Sequence, residues 1–137
     1  MKKTIINNGI TYGYDIQELI KSINLYEWEV PYGNEYTDKS WMTPTQKDFD
    51  ILKQKFISKI ENLDKNIDEL LNTKVILTAK KLLHKSKNYV IIDSNICTKY
   101  EDYHGSHNYR NLCLCLNKLS DNKADLTIRE INFNSPF

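Results

Sequence analysis

Within nine residues, Asp102-Tyr103-His104-Gly105-Ser106-His107-Asn108-Tyr109-Arg110, the chain places two of its three histidines, two tyrosines and one of its two arginines. Imidazole titrates near neutrality, guanidinium offers a planar fork of donors that fits phosphate or carboxylate, and phenol stacks on flat rings. Gly105 permits a tight turn at which the flanking side chains converge. The chemistry this set suits is recognition of a small anionic, nucleotide-like ligand. Arg110 and Arg129 would hold phosphate, Tyr103 or Tyr109 would stack on a planar ring, and His104, His107 and Asn108 would exchange hydrogen bonds. The arginines stand out against seventeen lysines, and both fall in the last thirty residues. A polar surface turn that happens to hold aromatics is the competing reading, and for Arg129 it is a structural salt bridge with Glu130 or another carboxylate.

Other chemistries are less well supplied. His104, His107, Cys113 and Cys115, with Asp102 nearby, contain zinc-ligand types, but Cys-x-Cys along a flat strand splays the sulfurs, so no metal is expected and the thiols pack as small apolar groups. No phosphate loop, Gly-x-Ser-x-Gly elbow, HExxH helix or dinucleotide glycine motif is present, and no cofactor is expected. Gly105-Ser106-His107 followed by a strand resembles, over those three residues, the Gly-Ser-His segment of HicA-type ribonuclease toxins. That resemblance implies metal-independent RNA cleavage, with His104 or His107 as acid and base and Arg110 on the phosphate.

The elements that must position these residues read as an α+β domain over residues 1–137. Asn8-Gly9 between β-branched residues signals a hairpin over 4–12. Asp15 with Glu18 is an N-cap signature, and Ile16, Leu19, Ile20 and Ile23 stripe a short helix ending near Asn24. Residues 31–42, flanked by Trp28 and Trp41, form a long polar loop with Tyr32 and Tyr36, suited to a protein contact. Thr43, Pro44 and Gln46 then open a helix whose Phe49, Leu52, Phe56, Ile60, Leu63, Ile67 and Leu70 repeat at threes and fours. Asn72-Thr73 offers a break, and Ile76, Ala79, Leu82 and Leu83 continue to Ser86. This is one long helix or a helical hairpin, and its seam predicts a homo-oligomer formed through residues 43–86. His84 is expected on the surface. The last third reads as strands at 89–92, 107–118 and 126–133, with a turn at 120–123. Alternation puts Leu112, Leu114 and Leu116 on one face with Arg110, and Tyr109, Asn111, Cys113, Cys115 and Asn117 on the other. The fold expected is an antiparallel β-sheet packed on a short N-terminal helix and the long helix or hairpin.

Nineteen basic and eighteen acidic side chains leave a net charge of +1, too little to hold a nucleic-acid backbone by counterion release. No apolar run reaches the ~20 residues of a membrane span, no signal segment precedes the first strand, and an odd number of cysteines suits a reducing cytoplasm. Fifteen asparagines, seventeen lysines and nine tyrosines match the codon bias of an AT-rich genome. The expectation is a non-enzymatic cytoplasmic accessory (anti-defence) protein of a phage or mobile element that sequesters an anionic nucleotide-like ligand. The alternatives are a protein-binding inhibitor or toxin-immunity protein whose contact surface is the Tyr32 to Trp41 loop, a host protein being its partner, and the ribonuclease.

Overall fold

The computed structural model describes residues 1–27, 46–85, 88–101 and 107–135, with side chains described except at 97–101, 107–109 and 133–135. Strands β1 (Lys3–Asn7) and β2 (Ile10–Tyr14) are followed by helix α1 (Ile16–Asn24). Helices α2 (Gln46–Glu61), α3 (Leu63–Leu71) and α4 (Lys74–His84) lead to β3 (Tyr89–Glu101), β4 (His107–Ser120) and β5 (Lys123–Ser135). This is an α+β fold in which a five-stranded sheet of order β1-β2-β5-β4-β3 packs on helices. Its pairs are antiparallel except β2 with β5, which runs parallel from Thr11↔Lys123 to Gly13↔Asp125.

Local chemistry accounts for most element boundaries. Asn8 and Gly9 have φ of 50° and 79°, the left-handed pair that a two-residue hairpin turn needs to match the strand twist. Asp15 Oδ1 accepts the Glu18 N–H at 3.2 Å, capping α1, and this hydrogen bond is the main reason its carboxyl lies below the usual range. Thr73 caps α4 in the same way, accepting from Ile76 N–H at 3.4 Å. The expected break at Asn72-Thr73 is present. A second break divides the long helix at Asn62, whose backbone turns out of the helical region at φ −90°, ψ 2° and whose side-chain amide donates to the Ser58 carbonyl at 2.9 Å.

One side of the sheet is the core. Phe49, Phe56, Ile60, Leu63, Ile67, Leu71, Ile76, Ala79 and Leu83 of the helices bury against Tyr12, Val90, Ile96, Leu112, Leu114, Leu116, Ala124 and Leu126 of the strands, and Leu19 and Ile23 of α1 join them. The helical seam that motivated the expectation of a homo-oligomer is thus covered by the chain's own sheet. Among the described residues no helix is long and apolar enough to cross a membrane. The 31–42 loop, both tryptophans and the Thr43-Pro44 start lie outside the described residues.

Strand β3 runs on past the expected 89–92 to Glu101 by way of two bulges, with Ile92 and Asn95 as the extra residues. Both turn toward α2 or the core. Ile92 packs on the core, and Lys59 of α2 donates to Asn95 Oδ1 at 3.0 Å and meets Asp93 Oδ2 at 3.2 Å.

Two predictions test this packing. Ile60 is 1% exposed, so Ile60→Asp places a carboxylate in the core and should cost more than about 4 kcal/mol, leaving a chain without cooperative melting by circular dichroism. Tyr12 and Tyr14 are both pushed up to about 12, Tyr12 by burial and Tyr14 by burial and then by its hydrogen bond to Asp64. A phenol raised in the folded state contributes stability that is complete below the ordinary value of 10 and is lost as pH rises toward 12. Ultraviolet titration should therefore show two late-ionising tyrosines, and midpoints of denaturant unfolding should fall across that interval. Ordinary titration of all the tyrosines would contradict it.

Candidate functional site

The site is built on β4 and its two neighbours, so cross-strand register decides which side chains can meet. Leu112 pairs with Glu130 and Ile96, Leu114 with Ile128 and Asp93, and Leu116 with Leu126 and Val90, which defines the helix-covered face. Cys113 pairs with Arg129 and Ser94, Cys115 with Thr127 and Ile91, and Asn117 with Asp125 and Tyr89, which defines the opposite face. Register partners project to the same side of a sheet and successive residues to opposite sides. Arg110 therefore stands on the helix-covered face and Arg129 on the other. The sheet itself separates the two arginines expected to grip one phosphate.

Each arginine has a different environment. Arg110 Nε meets Glu130 Oε1 at 2.9 Å in a diagonal cross-strand ion pair. The Glu130 partnership anticipated as the alternative for Arg129 thus belongs to Arg110. Arg129 stands on the helix-free face, with its guanidinium carbon 4.3 Å from the centre of the Tyr89 ring and an NH2 group donating to Asn117 Oδ1 at 2.8 Å. No carboxylate lies within ion-pair distance of Arg129 among the described residues.

Beneath it the thiols of Cys113 and Cys115 are fully buried and unbridged. Burial, and then the neighbouring Cys113, pushes Cys115 up to about 12 against the opposing effect of Arg129. A thiol in that state is neither a nucleophile nor a ready metal ligand at neutral pH. Among the described residues no three His, Cys, Asp or Glu side chains converge as a metal site.

The same face carries further polar groups. Asn111 Nδ2 donates to Ser94 Oγ at 3.2 Å, while Asn111 Oδ1 and Thr127 Oγ1 are buried with no hydrogen-bond partner among the described residues. Lys2 reaches across Gly13 to Asp125 Oδ2 at 2.9 Å, and a Cβ at Gly13 would lie 2.7 Å from Lys2 Cε. Tyr89 also lines a hollow of about 430 Å³ with Leu82, Asn88, Val90 and Ile91, between the end of α4 and the start of β3.

Of the residues expected to form the site, Tyr103 and His104 lie outside the described residues, as do the side chains of His107, Asn108 and Tyr109. The backbone puts His107 opposite Ser135 and Tyr109 opposite Phe133. His107 is six residues, or about 20 Å of strand, from Cys113, where Arg129 crosses. The site around Arg129 is instead completed by Tyr89 and Asn117. Asn117 had been placed on the cysteine face by alternation, but nothing local in the sequence links it to Arg129 or Tyr89. No protein-family model matches this chain, and no curated protein or solved structure is significantly similar to it.

Because Arg129 reaches from opposite Cys113 to Asn117, it passes Cys115, and its removal should uncover the thiol. In a Cys97→Ser background the native protein should react negligibly with a disulfide reagent at pH 8, and Arg129→Ala should speed the reaction at Cys115 by at least about tenfold. Equal rates in the two proteins would show that the arginine is not the cover.

Proposed function

We propose that this protein binds a small anionic, nucleotide-like molecule on the helix-free face of its sheet, with Arg129 as the central contact, and holds it rather than transforming it. A contrast between two like residues carries this reading. Arg110 is neutralised by Glu130, whereas Arg129 lies over the Tyr89 ring and is bonded to a neutral amide, with no carboxylate partner among the described residues. A half-buried guanidinium held by aromatic and amide contacts alone keeps its full charge and most of its N–H donors for an incoming anion. The Tyr89 ring beside the Arg129 guanidinium gives a planar ligand ring an aromatic and cationic partner, and the adjoining hollow gives it room.

The reading is of a binding protein because, among the described side chains of this face, the ionisable groups do not form an acid–base pair suited to neutral pH. Cys115 is pushed far above neutrality, and Asp125 is held by Lys2. Stoichiometric sequestration of the ligand is the role that follows. An accessory of a phage or mobile element is the setting that the composition suggests.

Calorimetric titration with nucleotides tests the assignment. Arg129→Lys keeps the charge but loses the fork, and should weaken binding by about tenfold or more, the worth of one charge-assisted hydrogen bond. Arg110→Lys should leave affinity unchanged. The reverse ranking, with Arg110→Lys the damaging change, would move the site to the other face of the sheet.

A further inference from the structure

Resting on the reading just given, we infer that the ligand is a nucleoside polyphosphate, a nucleotide with two or more phosphoryl groups in one chain, laid across the strands so that its phosphates run from Arg129 toward Lys2. The inference comes from one row of the sheet. Register places Gly13 of β2, Asp125 of β5, Asn117 of β4 and Tyr89 of β3 side by side on the helix-free face.

The charges gathered at this row come from elsewhere on the same face. Arg129 starts two rows away, opposite Cys113, and brings its guanidinium back to Asn117. Lys2 comes from the β1 side, passes over Gly13 and places its ammonium on Asp125 Oδ2 at 2.9 Å. Asn117 and Asp125 are direct register partners, whose Cβ atoms stand about 5 Å apart. The guanidinium and the ammonium therefore flank one cross-strand pair. Lys123 is two residues along β5 from Asp125, about 7 Å of strand, and alternation puts it on the same face. It is exposed and has no ion pair among the described residues. Among the described strand side chains of this face, the three cations meet one carboxylate, Asp125, so positive charge is left over.

The order of groups along the row matches the order of groups in the ligand. At the β3 end, the Tyr89 ring and the hollow beside it suit a base, and the cations follow toward β2. A monophosphate at Arg129 would leave Lys123 unmet and Lys2 engaged only with Asp125, whereas a chain of phosphates offers an anionic group to each cation in turn. The Lys2–Asp125 pair does not block that chain. The lysine is half exposed, such pairs add little to stability, and an ammonium with three donors can meet a phosphate while still neutralising Asp125. A nucleic-acid strand asks for cations repeated along its backbone, and the described face gathers its three around this row and the next.

The test is calorimetric titration of the full-length protein, without divalent metal, with AMP, ADP, ATP, GMP, GDP, GTP, inorganic tripolyphosphate and a ten-nucleotide single-stranded RNA. For at least one base the di- or triphosphate should bind about tenfold or more tighter than the monophosphate. In Lys2→Gln and in Lys123→Gln that advantage should shrink by about threefold or more, with monophosphate affinity nearly unchanged. Because Lys2→Gln also bares the Asp125 carboxylate, Lys2→Gln combined with Asp125→Asn is titrated beside it and should show the same loss. An advantage restored in the double variant would trace the loss to the bare carboxylate and overturn the path toward Lys2. A monophosphate that binds as tightly as its polyphosphates, or an advantage untouched by every lysine variant, would overturn this inference while leaving Arg129 as the nucleotide contact. Tripolyphosphate binding as tightly as ATP and GTP would overturn the nucleoside part of the assignment. RNA binding about tenfold tighter than every nucleotide would replace the polyphosphate by a strand. Absence of binding to all of them would remove the nucleotide reading and this inference with it.

Discussion

The register of the β4–β5 hairpin is set by one extra residue, and the two faces of the protein follow from it. Ser120 pairs with Lys123 across the two-residue turn, but one step into the hairpin Lys118 pairs with Ala124, so Leu119 is left over as a bulge and is about half exposed. An uninterrupted ladder from the same turn would pair Leu114 with Arg129 and Leu116 with Thr127. A one-residue slip moves every side chain of a strand to the opposite face. With the bulge, Ala124, Leu126 and Ile128 join Leu116 and Leu114 on the helix side, and Thr127 and Arg129 go to the cysteine side. The core enforces this choice. Facing Leu126 away from the helices would expose a side chain that is 4% exposed here, and burying one leucine is worth about 1.5–3 kcal/mol.

Once that register is fixed, the rest of the sheet locks around β4. Five consecutive residues of the strand, Leu112 to Leu116, are buried, and a run buried on both faces needs cover on both sides. The helices supply it on the leucine side. On the other side, Arg129 reaches from its place opposite Cys113 to Asn117, and so passes Cys115. In the row of Asn117 itself, Lys2 lies across Gly13 to reach Asp125, and a side chain at Gly13 would block it. The parallel β2–β5 pair brings the N-terminal hairpin into the sheet, and Tyr12 buries fully against the core beside Ala124.

What was legible in the sequence was what local chemistry determines. The Asn8-Gly9 turn, the Asp15 cap with a helix ending at Asn24, the break at Asn72-Thr73 and the alternation along β4 each depend on residues within a few positions of one another. The missed features depend on distant partners. The break at Asn62 has no local signature, since Asn66 makes the same bond to a carbonyl four residues back without interrupting α3 and the apolar spacing runs through Asn62 unchanged. The bulges at Ile92 and Asn95 let β3 continue while Lys59 of α2 holds Asp93 and Asn95, a tertiary contact with no signature in the strand. Alternation put Arg110 on the leucine face, where it stands, but that Arg129 lies on the opposite face was missed for the same reason. Alternation within β4 and within β5 is readable, but their relative parity depends on Leu119, and whether a hairpin carries one extra residue is decided by which pairing buries more apolar surface.

The contrast between the arginines is finally one of where each charge is balanced. Arg110 and Glu130 face each other across neighbouring strands, both partly exposed, and such a pair adds little to stability while satisfying both groups. Arg129 has no carboxylate in reach among the described residues, yet its conformation is fixed from two directions, by the Tyr89 ring and by Asn117. Neither contact neutralises it. A long side chain ordinarily loses rotamer freedom when it grips an anion, at a cost of about 0.5–1.5 kcal/mol. Here the folded sheet has already met that cost, so an anion arriving at Arg129 finds donors held in place. A purely structural role, covering Cys115, would be filled as well by leucine or methionine without desolvating a charge. The use of arginine at this position makes sense if the charge has a partner that is not part of the described chain.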